Sequence, residues 1–143
     1  MLDWTYNPLA AAFFAVTGTH DCNAILFVYK SNFLIDPKEI TPFEVKGVAK
    51  FKPIGVAHRI VRQGGIFTIH ENPSIPMEQE IQNVEELEKI IIDSEYREEL
   101  VFELSHYGIN ASTLFPDLDG LSNYINWATS NRTYWTVNTE TTE

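Results

Sequence analysis

The run Leu9-Ala10-Ala11-Ala12-Phe13-Phe14-Ala15-Val16 carries no polar residue on any face. A helix built from it has nothing to offer water, so the rest of the chain must cover it. Asn7-Pro8 stands directly in front. An Asn side chain accepts from the free N–H groups of a first turn, and a Pro at the first helical position gives up no bond. Thr17-Gly18 ends the run. At this length it falls far short of a bilayer, which takes about 20 residues to cross. The constraint is therefore a buried N-terminal helix with strands and further helices packed around it.

The strand signals follow. Ala24 to Tyr29 is rich in β-branched and aromatic residues and reads as a buried strand. Ala57 to Arg62 and Ile66 to Ile69 read as two strands, or as one interrupted by a bulge at Gly64-Gly65. Leu87 to Ile92 reads as another. Phe43, Val45 and Val48 suggest an edge strand inside residues 31–56, a lysine-bearing stretch broken by Pro37, Gly47 and Pro53. Residues 71–86, with Pro73 and Pro76, read as an acidic loop. Asp93-Ser94 then cap a helix. Glu95, Glu98 and Glu99 fall in or near its first turn, where the helix dipole favours negative charge, and Gly108 suits its left-handed end. Asp117 or Asp119 starts a last helix. The order predicts an α+β fold: a small mixed or antiparallel sheet, one buried N-terminal helix and two C-terminal helices. A single domain is expected over 1–130, with a polar, flexible tail over 131–143.

Charge divides the chain. The 143 residues carry a net charge of −10. Residues 1–70 hold seven Lys and Arg against five Asp and Glu, while residues 71–143 hold three against 15. The acidic half repels phosphates, so direct nucleic-acid binding is not expected. The single Cys22 excludes an internal disulfide and fits a reducing, cytoplasmic compartment. No Cys/His zinc spacing occurs. Neither a membrane span nor a basic leader is seen.

Three groups of residues are candidates for function. Thr5 and Asn7, beside Trp4 and Tyr6, read as cap and turn chemistry or as a pocket at a helix N-terminus. Arg62, Gln63 and Gly65 read as a strand bulge or as a phosphate and sugar contact that a glycine lets approach closely. Between Glu71 and Glu103 there are 11 acids against Lys89 and Arg97, a solvated face or a docking surface for a basic partner. Catalytic patterns are missing: there is no Gly-x-Ser-x-Gly elbow, and the spacing of His20 and Cys22 defines no nucleophile. His58 and His70 flank the double glycine without a carboxylate pattern that would make them metal ligands.

Three blocks resemble a known family. Leu2-Asp3-Trp4-Thr5-x-Asn7-Pro8-x-x-Ala11-x-x-Phe14-Ala15 resembles the middle signature of the FRG domain family. Arg59-Ile60-x-x-Gln63-x-Gly65-x-Phe67-Thr68 resembles its next block. Leu104-x-x-x-Gly108-Ile109-x-x-x-Thr113-Leu114-Phe115-Pro116-Asp117-Leu118-Asp119-Gly120-Leu121 resembles its C-terminal block. In that family a Phe-Arg-Gly segment and a Gln-His-Tyr-Gly-like segment come first, and here Met1 precedes Leu2 directly. The resemblance implies a truncated FRG-like domain or a fragment of one. More distantly the layout is similar to ADP-ribosyltransferases. By that likeness Thr5 lies near a nicotinamide ribose and Gln63 takes the late acid or amide position. A glutamine there lacks the negative charge that steadies an oxocarbenium ion.

Two functions are carried forward. The leading expectation is a non-catalytic acidic interaction protein without a cofactor, of the kind a phage or mobile element uses to block a basic surface of a bacterial defence or toxin protein. Its contact residues are Glu78, Glu80, Glu85, Glu86, Glu88, Glu95, Glu98 and Glu99. The alternative is an NAD- or nucleotide-binding domain using Thr5, Asn7, Arg62, Gln63 and Gly65. A homodimer is a further possibility, because truncation exposes apolar surface.

Overall fold

The computed structural model describes residues 1–18, 22–53, 57–81 and 86–131. The fold is α+β, as expected. The first strand is β1 (Leu2–Thr5), followed by helix α1 (Pro8–Val16). Asn7 caps α1 by accepting from the backbone N–H of Leu9 at 3.0 Å and of Ala10 at 3.4 Å. Two strands and a turn follow: β2 (Ala24–Lys30), β3 (Leu34–Ile35) and a 3-10 turn at Pro42–Glu44. Next come β4 (Val48–Phe51), α2 (His58–Gln63), β5 (Gly65–His70) and α3 (Met77–Glu80). The chain continues through β6 (Glu86–Ile92) and a 3-10 turn (Ser94–Tyr96) into α4 (Arg97–His106), α5 (Ala111–Leu114) and α6 (Leu118–Ser130).

Two sheets form. The larger has the order β1-β5-β4-β3, antiparallel except for the parallel β3–β4 pair. The smaller is β2 with β6, antiparallel, with Ala24 opposite Ile92 and Lys30 opposite Glu86. Helix α1 and helix α4 cover one end of the small sheet. Ala10, Phe13, Val16, Ala24, Leu104 and Leu114 make the buried cluster between them. Ile35, Val45 and Ala49 make a second cluster on the larger sheet. At the C-terminal end of α1, the buried Arg97 donates to the carbonyls of Val16 (3.1 Å) and Cys22 (3.0 Å), which places a cation where the dipole is negative.

Several expectations are corrected. Residues 58–63 form a helix, not a strand. Gly64 sits at φ +63° with its N–H on the Ile60 and Val61 carbonyls, so the double glycine is a left-handed helix end and not a bulge. Gly65 is needed for the fold-back, because a Cβ there would lie 2.8 Å from Ile60 Cγ2. Phe43 lies in a 3-10 turn rather than an edge strand, and β4 starts only at Val48. The acidic loop contains the short helix α3. Three helices, not two, close the C-terminal side, because Asn110 caps the extra α5. α1 is not buried all round: Leu9 and Phe14 stay exposed, and Phe14 turns toward a groove. The expected tail falls almost entirely outside the described residues.

Candidate functional site

The residues singled out around the two turns do come together. Thr5 pairs with Gly65 in the β1–β5 ladder, and the Tyr6 N–H donates to the Gly64 carbonyl at 3.0 Å. The Thr5 hydroxyl donates to the Gln63 carbonyl at 2.5 Å and accepts from the Asn7 N–H at 2.9 Å. The Gln63 side-chain amide donates to the Leu114 carbonyl at 3.1 Å, tying α2 to α5. Thr5, Asn7, Gln63 and Gly65 therefore clamp the β1–α1 turn to the α2–β5 turn. Arg62 is apart from them, exposed on α2.

Beside this clamp lies a groove of about 810 Å³. That size is usual for a small-molecule site, about 300–1,000 Å³. β1 supplies Asp3, Trp4 and Thr5; α1 supplies Phe14; β2 supplies Phe27. α2 contributes Arg59 and Gln63, and α3 contributes Met77 and Glu78. The aromatic walls are held by other rings: Trp4 lies 5.7 Å from Tyr29, and Phe14 meets Phe115 edge-on at 5.8 Å. Arg59 stacks its guanidinium 4.6 Å over Phe115. Among the described residues no carboxylate lies within ion-pair distance of Arg59, so its charge is available. Lys89 pairs with Glu78 at 3.2 Å and lies 5.2 Å above the Phe27 ring. Its own backbone N–H, and then the Lys89 ammonium, hold the Glu78 carboxyl below the ordinary carboxylate value.

A second constellation was not foreseen. The Trp4 indole N–H donates to Thr68 Oγ1 at 3.0 Å. Thr68 Oγ1 lies 2.9 Å from His70 Nε2, and His70 Nδ1 lies 3.1 Å from Glu80 Oε2. The other Glu80 oxygen accepts from the Asn72 N–H at 2.7 Å. The His70 and Glu80 side chains are only 5% and 6% exposed, and Thr68 only 1%. Hydroxyl, imidazole and carboxylate stand in the order of a hydrolytic triad. With the hydroxyl shut away from solvent, no substrate reaches it.

The acidic candidates are scattered in environment. Glu80 faces His70 inside the protein rather than solvent. Glu78 and Glu86 are paired with Lys89 and Lys30. Glu88, Glu95, Glu98 and Glu99 are exposed, whereas Glu85 lies outside the described residues. Among the described residues no three His, Cys, Asp or Glu side chains gather as a metal site, and no helix is long and apolar enough to cross a membrane. Comparison with protein-family models, curated proteins and solved structures found no match.

Proposed function

We propose that the chain is an FRG-like domain that binds a nucleotide of the ADP-ribose or NAD class in the groove between β1, α1 and β2. One observation carries this reading: an available guanidinium, Arg59, shares a groove with the rings of Trp4, Phe14 and Phe27 and the carboxylate of Asp3. Arg59 meets the phosphates, because a guanidinium matches their geometry with paired N–H donors. An aromatic wall takes the base by stacking, and Asp3 accepts from ribose hydroxyls. Thr5 and Gln63 hold the floor in place. The Thr5 hydroxyl is spent on the Gln63 carbonyl and the Gln63 amide on the Leu114 carbonyl. The proposal is one of binding and assigns no catalytic step.

This reading is preferred to docking through acids because of where those acids lie. Three of the eight are engaged by His70, Lys89 or Lys30. Three more, Glu95, Glu98 and Glu99, sit at the start of α4, where the dipole alone accounts for them. Calorimetric titration with ADP-ribose tests the proposal. The wild type is expected to bind, Arg59→Ala to bind at least tenfold more weakly, as about 1.4 kcal/mol of lost contact requires, and Arg59→Lys to recover part of the loss. Equal binding by wild type and Arg59→Ala, or none by the wild type at millimolar ligand, overturns it.

A further inference from the structure

One arrangement of protons satisfies every member of the Trp4–Thr68–His70–Glu80 chain. An indole N–H donates only, so Thr68 Oγ1 accepts from Trp4. The Thr68 hydroxyl proton must then go to an acceptor. His70 Nε2 is the acceptor in reach, and among the described residues Thr68 Oγ1 makes no further bond. Lys50 stands opposite Thr68 in the β4–β5 ladder, yet its ammonium donates to the Ser31 carbonyl. That arrangement leaves His70 Nε2 bare and places on Nδ1 the proton shared with Glu80. Glu80 is fixed in turn by the Asn72 N–H. Turning the Thr68–His70 bond round leaves the Thr68 hydroxyl proton without an acceptor on a residue 1% exposed, where an unmet polar group is costly.

We infer that His70 and Glu80 are positioning residues for the groove. They orient the Thr68 hydroxyl, and the hydroxyl fixes the Trp4 indole as a ligand-facing wall. Trp4 belongs to an edge strand only four residues long, and its ring is held by the Tyr29 ring at 5.7 Å and by this one hydrogen bond to Thr68. The relay reaches the ring from the far end of β5 and from α3, and it ties the groove wall to a histidine outside the groove lining. This inference rests on the nucleotide reading only for what the wall is for; the proton arrangement stands without it.

Nuclear magnetic resonance on the full chain tests both parts. A long-range proton–nitrogen spectrum of the wild type is expected to show His70 protonated at Nδ1 and bare at Nε2. The opposite tautomer overturns the inference, and this measurement needs no variant. Thr68→Val and His70→Phe are expected to move the Trp4 indole N–H resonance, assigned with Trp4→Phe, while Thr68→Ser restores it. An unmoved resonance in both variants overturns the inference. In calorimetry with ADP-ribose, Thr68→Val is expected to weaken binding on the order of two- to tenfold, the scale of one lost hydrogen bond, with Thr68→Ser close to wild type. Unchanged affinity in Thr68→Val overturns the positioning role. A wild type that binds no nucleotide removes the reading of the groove, while the spectra still decide the relay.

Discussion

The two sheets solve the same problem in opposite ways. On the four-stranded sheet, β5 alternates so that Ile66 and Thr68 are buried, with His70 on the same face, and the polar members are satisfied by one another. On the two-stranded sheet, Ile25, Phe27, Val28, Ile90 and Ile91 remain exposed, with Ile91 at 67%. An isolated strand pair is marginal in water, so this sheet depends on the helices that cover its Ala24–Ile92 end. The lesson concerns the groove. Its β1 wall carries Trp4, whose indole N–H is bonded to Thr68 of the larger sheet. Its opposite wall, β2, is fixed by apolar packing on α1 and α4. The Trp4 and Tyr29 rings, 5.7 Å apart, are where the two sides meet.

Mutations can separate the parts. Leu104 is 1% exposed and packs in the helix cluster beneath the small sheet. Leu104→Ala is expected to cost about 2–5 kcal/mol in urea denaturation. Amide exchange should rise first in β2 and β6, with β4 and β5 still protected. Equal loss of protection in both sheets would break the contrast. Thr68→Val acts on the other sheet. It removes the partner of the Trp4 N–H and of His70 Nε2, the latter on a side chain 5% exposed, for an expected loss of about 1–3 kcal/mol, and Thr68→Ser should lose much less.

Smaller effects sharpen the same comparison. Ile91→Lys, on the exposed strand, is expected to change stability by no more than about 0.5 kcal/mol. A large loss of stability there would show that this strand is packed more firmly than its exposure indicates. The last effect is acid. The Glu71 carboxyl is held below its ordinary value of 4.5, first by the Gly47 N–H and then by Lys46, where the end of β5 meets the start of β4. A carboxyl depressed in the folded state stabilises the fold above its unfolded pKa, and that contribution fades as pH falls through the folded value. Wild type and Glu71→Gln should therefore differ in melting temperature at neutral pH and converge in strong acid. An offset that persists through the acid range would assign the difference to packing.

The local elements were largely legible in the sequence. The cap at Asn7, the apolar run after it, the strands read at 24–29 and 87–92, each one residue short of the strand that forms, and the helix closing at Gly108 are each set by neighbouring residues. α2 is not, because Ile60 and Val61 favour strands and the Gly64-Gly65 pair fits a bulge as well as a helix end. A left-handed glycine occurs in both, and it is the Gly64 N–H on the Ile60 and Val61 carbonyls that makes this one a helix end. The closeness of Thr5 and Asn7 to Gln63 and Gly65 follows from the strand pairing, and their capping chemistry was one of the two readings open to Thr5 and Asn7. The groove itself was hidden, since Phe14, Phe27, Arg59 and Glu78 come from four separate elements. The relay left one trace: Thr68 and His70 are two apart on a strand and so share a face. Nothing local marks Glu80 as their acid, and Glu71, the nearer one in sequence, turns to Lys46 and Gly47 instead.

The most direct test of the nucleotide groove is a residue-by-residue nuclear magnetic resonance titration of the wild type with ADP-ribose. Saturable shifts are predicted at the Trp4 indole and the Arg59 guanidinium, with Phe14 and Phe27 on the facing wall. Resonances that stay in place at millimolar ligand, or that move only around β3 and β4, would contradict it.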